Sequence, residues 1–348
     1  MKALITGING HFGSTLARAF LKQGHAVRGL VRASSNLAAL RGLDAELVTG
    51  DVLDEKSVEG AMQGADCLIH AAAPQVVRTD DDFKSILRGT ENVFRAMQKA
   101  VSVRRAVYVS SSVTVGLAQS PSMALTESSN QRLEGTRYQI AKWETEQWLS
   151  DFIARNKLPV VIVNPSTIIG PGDFRPTPTN RLIVEYLNDA GGLAWLRHRN
   201  FRAAPVYFSG GLSITDVEDV ARGVLGALRS GKPGERYLLS GDNITYRKFF
   251  SIIAELTGLP APWIPLPRAL MLPLSYLFTA IMEHPPMGYE LAKTMVGRYA
   301  YFSADKAARE LGYQWRPARE TLKRAVRWFI ESSLVLPERR ALFAGIKP

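Results

Sequence analysis

The chain has 348 residues, of which 46% are hydrophobic and 22% charged, and it carries a formal net charge of +11. Those proportions exclude a disordered or fibrous chain, and the length leaves room for about two domains. The single cysteine, Cys67, sits in an apolar stretch and excludes an intrachain disulfide.

Strand-like sequence from Lys2 leaves no space for a leader, so a cytoplasmic location is expected. The longest apolar run, Ala269 to Met282, is interrupted by Pro273 and falls short of the ~20 residues a spanning helix needs. The positive charge suits an acidic substrate or an anionic membrane surface. Its clusters, Arg197, His198, Arg199 and Arg202 and then Lys323, Arg324 and Arg327, come without helix-turn-helix or zinc spacing, so nucleic acid is not an expected partner. The histidines form no metal-ligand motif, and Asp80-Asp81-Asp82 reads as an acidic helix start, so no metal is expected.

In chain order, Ala3 to Ile5 is a buried strand and Ser14 to Gln23 a helix. Strands follow at Ala26 to Val31 and Ala45 to Val48, with a polar, helix-forming connection around Asn36 to Arg41. A helix over Asp54 to Met62 leads to a strand at Asp66 to His70. A long helix from Asp81 to Ala100 leads to a strand at Ala106 to Val109. A helix over Tyr138 to Asn156 and a strand at Val160 to Val163 complete the series. Such alternation demands a parallel sheet covered on both faces, with ligands bound beyond the carboxyl ends of its strands. The expected fold is therefore α/β: a Rossmann-type doubly wound parallel sheet with a smaller, mainly helical C-terminal substrate lobe.

After Asn164 the prolines at 165, 171, 176 and 178 change the grammar. Residues 1–173 are read as the dinucleotide-binding domain, with two returns to its core within 209–242: Leu212 to Thr215 with the helix Val217 to Ser230, and the strand Arg236 to Leu239. Residues 174–208 and 243–333 are read as the substrate lobe, and 334–348 as a tail.

Three features carry the chemistry. Thr6-Gly7-Ile8-Asn9-Gly10-His11-Phe12-Gly13 places glycines where a strand turns into a helix. Gly7 permits the turn, Gly10 bares the backbone to phosphate oxygens, and Gly13 lets helix and strand pack closely. Tyr138-Gln139-Ile140-Ala141-Lys142 stacks a phenol and an ammonium at i and i+4 on one helix face, where the cation would favour phenolate and bring the phenol toward neutral working pH. Ser110-Ser111-Ser112 ends the fifth strand, where a hydroxyl can bind the same substrate oxygen.

In this order, with Gly50-Asp51-Val52, His70-Ala71-Ala72-Ala73, Asn164-Pro165-Ser166 and Phe302-Ser303-Ala304-Asp305, these features make the chain resemble the extended short-chain dehydrogenases/reductases. The likeness covers nearly the whole length. Within them it is most similar to the dihydroflavonol 4-reductase-like branch, which includes 3β-hydroxysteroid dehydrogenases and proteins called hopanoid-associated sugar epimerases.

The resemblance implies an NAD(P)-dependent oxidoreductase in which Tyr138 exchanges the proton. Lys142 lowers its pKa and holds the nicotinamide ribose, and Ser111, five residues before Gly116, binds the substrate oxygen. It assigns to the cofactor Gly7, Asn9, Gly10, His11, Phe12 and Gly13, then Asp51 and Val52 around adenine, and Ala71, Ala72 and Ala73 along the ribose. Tyr138, Lys142, Pro165, Ser166 and Thr167 frame the nicotinamide. It also implies a homodimer through the helices at about 83–101 and 138–156.

Two positions depart from the family pattern: Ile86 stands where asparagine is usual, and Val115 where sugar-nucleotide enzymes often have tyrosine. The second strand ends without a carboxylate, and Arg32, with Arg28 or Ser34 and Ser35, suits a 2′-phosphate, which favours NADP(H) over the alternative NAD. Trp263 to Pro267 and the 269–282 run point to an apolar carbonyl substrate, sterol- or isoprenoid-like, with peripheral membrane contact. The alternative is an NAD-dependent sugar-nucleotide epimerase.

Overall fold

The computed structural model describes residues 1–74, 77, 79–131, 135–189, 206–282 and 288–343. The basic cluster Arg197, His198, Arg199 and Arg202 lies outside them.

The first half alternates strand and helix: β1 (Lys2–Thr6), α1 (His11–Lys22), β2 (Ala26–Val31), β3 (Glu46–Thr49), α2 (Glu55–Met62), β4 (Cys67–His70), α3 (Asp80–Lys99), β5 (Arg105–Val109), α4 (Arg137–Asn156) and β6 (Val160–Pro165). There follow β7 (Thr167–Ile169), α5 (Pro178–Asp189), β8 (Val206–Phe208), β9 (Gly211–Asp216), α6 (Val217–Ser230) and β10 (Arg236–Leu239). The C-terminal part comprises β11 (Asp242–Thr245), α7 (Tyr246–Thr257), β12 (Ile264–Leu266), α8 (Arg268–Ile281), α9 (Tyr289–Met295), β13 (Tyr299–Ala300), α10 (Asp305–Leu311) and α11 (Ala318–Glu331).

The main sheet has seven strands in the order β10-β6-β5-β4-β1-β2-β3, and every pairing in it is parallel. Alternation along β1 explains why it is covered twice. Ala3 and Ile5 face a core built with Leu16 and Phe20 of α1 and Val220 and Val224 of α6. Leu4 faces the other core, with Met62 of α2, Phe94 of α3 and Leu149 of α4. Each such large side chain taken fully from water stabilises the fold by roughly 1.5–3 kcal/mol.

The helix starts follow local chemistry. Thr79 caps α3 in a capping box with Asp82, and Thr136 caps α4 in another with Gln139. The Asp80 run is thus an acidic first turn, and Asp80 pairs with Arg137.

One expectation is corrected. Leu212–Thr215 does not return to the main sheet: β9 pairs with β7, β11 and β13 in a second sheet, and only α6 and β10 go back to the first. That second sheet is packed by Ile183, Phe249, Ile253, Leu322 and Phe329, and Val335 and Phe343 are buried in the same cluster. The basic residues of α11 are engaged in part, with Arg324 on Asp216 and Glu218 and Arg327 on Glu331. No helix among the described residues is long and apolar enough to cross a membrane.

Candidate active site

Because the sheet is parallel, Thr6, Val31, Thr49, His70, Val109 and Pro165 end their strands on one edge. The segments that follow them are the glycine loop, Arg32, Asp51, Ala71 to Ala73, the serines and Ser166-Thr167. A chemistry scattered over the first half of the chain is thereby gathered along one crevice, where open α/β sheets bind their ligands.

Each glycine of the loop has its own cause. Gly7 has φ +73°, and a Cβ there would stand 2.8 Å from the Ala72 backbone. A Cβ on Gly13 would lie 2.1 Å from the Gly7 carbonyl oxygen, whereas at Gly10 the only near atom is that oxygen, at 3.3 Å. Gly10 therefore keeps an open approach to bare backbone, and no side chain caps the first turn of α1. The Ala71 and Ala72 N–H groups donate to Thr6 O and Oγ1 at 3.2 and 3.3 Å, which seats the alanine run against the loop.

The His11 ring turns inward. It is buried, with Nε2 3.0 Å from Pro171 O and Nδ1 3.7 Å from Asp173, so what it can offer a phosphate is its backbone N–H. Burial lowers its pKa although Asp173 opposes the shift. Phe12, in the first turn of α1, packs on the core, while Asn9 stays half-buried in the loop.

At the adenosine end Arg32 is exposed after β2. Arg28 is not available to assist it. Its guanidinium donates to the Ala61 carbonyl at 2.9 Å and to Gln63 O, and it pairs with Glu46 at 2.9 Å. The Ser35 hydroxyl accepts the Arg32 N–H at 3.1 Å, holding the turn. Asp51 accepts the Leu53 N–H at 3.0 Å, while Asp54 caps α2. Val52 is partly buried and would be struck by a Cβ on Gly89.

Tyr138 occupies the first turn of α4, half-buried. Burial raises its pKa, and the Ser111 hydroxyl beside it acts in the opposite direction. Of the three serines it is Ser111 that serves the phenol, since Ser110 donates to Glu146 and Ser112 is buried.

Lys142, 3% exposed, donates to Val109 O at 3.2 Å and to Tyr108 Oη at 3.4 Å. Desolvation brings its pKa down to about 8, with Glu146 opposing the fall. The Lys142 ammonium is anchored on the end of β5, and the group whose hydrogen bond favours the Tyr138 phenolate is Ser111.

Below this pair lies a buried polar layer that sequence reasoning missed. Glu146, 1% exposed, accepts from Ser110, from Thr114 Oγ1 at 2.9 Å and from Asn164 Nδ2 at 2.7 Å through Oε2, and from Arg236 at 3.0 Å through Oε1. The only sequence signal for it is an acid four residues beyond Lys142 on the buried stripe of α4. His70 bridges Thr6 Oγ1 at 2.7 Å and Thr90 Oγ1 at 3.1 Å. Burial and the Lys142 charge lower its pKa to about 3, so it is neutral. Ile86, at the position where asparagine is usual in the family, is buried and offers its carbonyl to Thr90. Val115 is fully buried among Leu117, Ala118, Leu125 and Phe302.

Pro165 and Ser166 are buried and Thr167 half-buried at the end of β6. The Ser166 hydroxyl has no protein partner among the described residues. An open, glycine-lined helix start and an orphaned buried hydroxyl just past the end of β6 both fit a nicotinamide dinucleotide laid along the crevice. Among the described residues no group of acidic, histidine or cysteine side chains could hold a metal.

The family profile described as "NAD dependent epimerase/dehydratase family" matches residues 3–240. A Synechocystis protein provisionally named a dihydroflavonol 4-reductase is 34% identical over 339 residues, covering 93% of both chains. Sterol demethylase protein B of Methylococcus capsulatus is 32% identical over 353 residues, covering 96% of this chain and 100% of its own. Among solved structures, a nucleoside-diphosphate-sugar epimerase from Pseudomonas aeruginosa superposes with a TM-score of 0.77 at 28% identity, over 97% of this chain and 99% of that one.

Proposed function

This chain belongs to the NAD dependent epimerase/dehydratase family, the extended short-chain dehydrogenases/reductases, and from that premise we infer a reductase or dehydrogenase acting between NADP(H) and a ketone or secondary alcohol on a mainly apolar substrate. The observation that carries it is the half-buried Tyr138 phenol, served by Ser111 and set one turn from the buried Lys142 cation.

The glycine loop and the first turn of α1 would hold the pyrophosphate, and Pro165 to Thr167 with Lys142 the nicotinamide end. The bound dinucleotide supplies or accepts hydride at the substrate carbon. In reduction, Ser111 orients the carbonyl oxygen and the Tyr138 hydroxyl gives it a proton; in oxidation, the phenol takes that proton back. A phenol of raised pKa stays protonated through neutral pH, which suits the donating direction.

Two features support the finer reading. Arg32, exposed at the end of a strand without a carboxylate, favours a 2′-phosphate and hence NADP(H). An apolar substrate agrees with the name of the sterol demethylase relative and with the outward face of α8, where Leu270, Tyr276, Leu277 and Ile281 are 51–67% exposed. We extend the reading to a peripheral lipid contact on that face, since an apolar stripe on a cationic protein suits an anionic bilayer surface.

The test is turnover of NADPH by the purified protein with a panel of polycyclic and isoprenoid ketones, alongside Tyr138→Phe. Consumption of NADPH with an apolar ketone, lost in the variant, is the expected result. Co-purifying NAD and interconversion of a nucleotide sugar without net redox change would replace this reading with an epimerase.

A further inference from the structure

Glu146 lies two turns beyond Tyr138 and one beyond Lys142 on α4, inside the protein rather than on the crevice. Its carboxylate is the meeting point of four segments. Ser110 directly follows β5, Thr114 belongs to the short turn after it, Asn164 lies on β6 and Arg236 on β10, and each is within donating distance of it. A carboxylate receiving several donors in the interior is fixed in place by them, and the donors are in turn held by it.

Two of those donors reach on toward the reacting groups. The Asn164 amide carries two protons and donates to Ser111 O at 3.2 Å as well as to Glu146, while Thr114 Oγ1, whose one proton is shared, lies 2.9 Å from both Ser111 O and Glu146. The backbone of Ser111, whose hydroxyl serves the Tyr138 phenol, is thus tied to Glu146 through Asn164, with the Thr114 hydroxyl between them. On the other side, Glu146 is the anion that acts on the Lys142 ammonium. The groups facing Lys142 are otherwise Tyr108 and the Val109 carbonyl from β5 and the neutral His70 from β4, with Tyr138 one turn before it on its own helix. Arg236, 16% exposed at its side chain, faces the far oxygen of Glu146 and also donates to Glu127 O and Ser129 O.

We propose that Glu146 is the positioning residue of this site, holding the Ser111 turn against Tyr138 and supplying the counter-charge that keeps Lys142 protonated. Arg236 tempers that charge, so the Glu146–Arg236 pair sets the pH at which the lysine is lost. The proposal rests on the reading of Tyr138 as the proton-exchanging group. It adds that the active protonation state is set from beneath the site, by residues that touch neither substrate nor cofactor.

The test is the pH dependence of kcat for the full-length protein with NADPH and the apolar ketone it reduces fastest, in wild type, Glu146→Gln, Arg236→Gln and Tyr138→Phe. Glu146→Gln is expected to move the alkaline limb down by about one pH unit, the scale of a nearby opposite charge removed. Arg236→Gln, which frees the carboxylate from its other cation, is expected to move the limb up. Opposite shifts are not produced by a general loosening of the fold. If Glu146→Gln does not fold, as judged by circular dichroism and cofactor binding, Arg236→Gln carries the test alone. A limb that stays in place in folded Arg236→Gln, or in folded Glu146→Gln, overturns the proposal while Tyr138→Phe remains inactive. Full turnover by Tyr138→Phe would instead overturn the reading of the site on which it rests.

Discussion

Gly13 lies so close beneath Gly7 that a Cβ on it would stand 2.1 Å from the Gly7 carbonyl oxygen. The contact sets how near α1 comes to the end of β1, and with it the height of the bare backbone at Gly10. Gly13→Ala is therefore expected to push helix and strand apart, costing about 1–3 kcal/mol in a denaturant titration as an overpacked core does. NADPH affinity should weaken in the same variant. Unchanged affinity would mean that the loop does not hold the pyrophosphate.

Lys142 makes activity and stability respond to pH in opposite directions. Its pKa in the fold is about 8, below the ordinary lysine value of 10.5. Between those values the unfolded chain binds the proton and the fold does not, so this group adds stability as pH rises through that window. Turnover that needs the ammonium falls over the same range. Lys142→Met should thus gain stability relative to wild type at neutral pH, with the difference shrinking above pH 8, as thermal midpoints across the series would record.

His70 predicts an acid limit of the same origin. Its pKa is lowered from 6.5 to about 3 by burial and by the Lys142 charge. As pH falls below 6.5 the unfolded chain takes up a proton that the fold refuses, so stability declines toward pH 3. His70→Asn should flatten that decline while losing part of the bridge between Thr6 and Thr90, and thermal unfolding between pH 4 and 7, a window set by that linkage, checks both effects.

Arg32→Ala is expected to raise the dissociation constant for NADPH by roughly tenfold or more, the scale of a lost charge-assisted phosphate contact, and to leave that for NADH nearly unchanged. Binding titrations with the two dinucleotides measure this directly. Equal losses for both would show that the guanidinium does not read a 2′-phosphate.

Much of the sheet could be read from sequence because its strands are short apolar runs separated by helix-length segments, and such alternation admits one kind of architecture. The bounds of β2, α6 and β10 fall at the residues expected from pattern alone. The second sheet could not be read this way. β7 and β13 contain three and two residues, and their partner β9 lies far away in sequence, so no local period marks them. The orientation of Lys142 was equally hidden. Spacing on a helix says that it lies one turn from Tyr138, but not that the Val109 carbonyl claims its ammonium.

Sequence by itself determined the class of fold, the glycine-lined turn after the first strand and the phenol and amine on one helix face, because each follows from short-range spacing and steric rules. Only the tertiary structure decided that the amine is anchored on a strand end and that a buried carboxylate joins four segments beneath the phenol and amine. Those outcomes depend on long-range packing and on how far each charge is removed from water, and neither quantity is written in the order of residues along a single element.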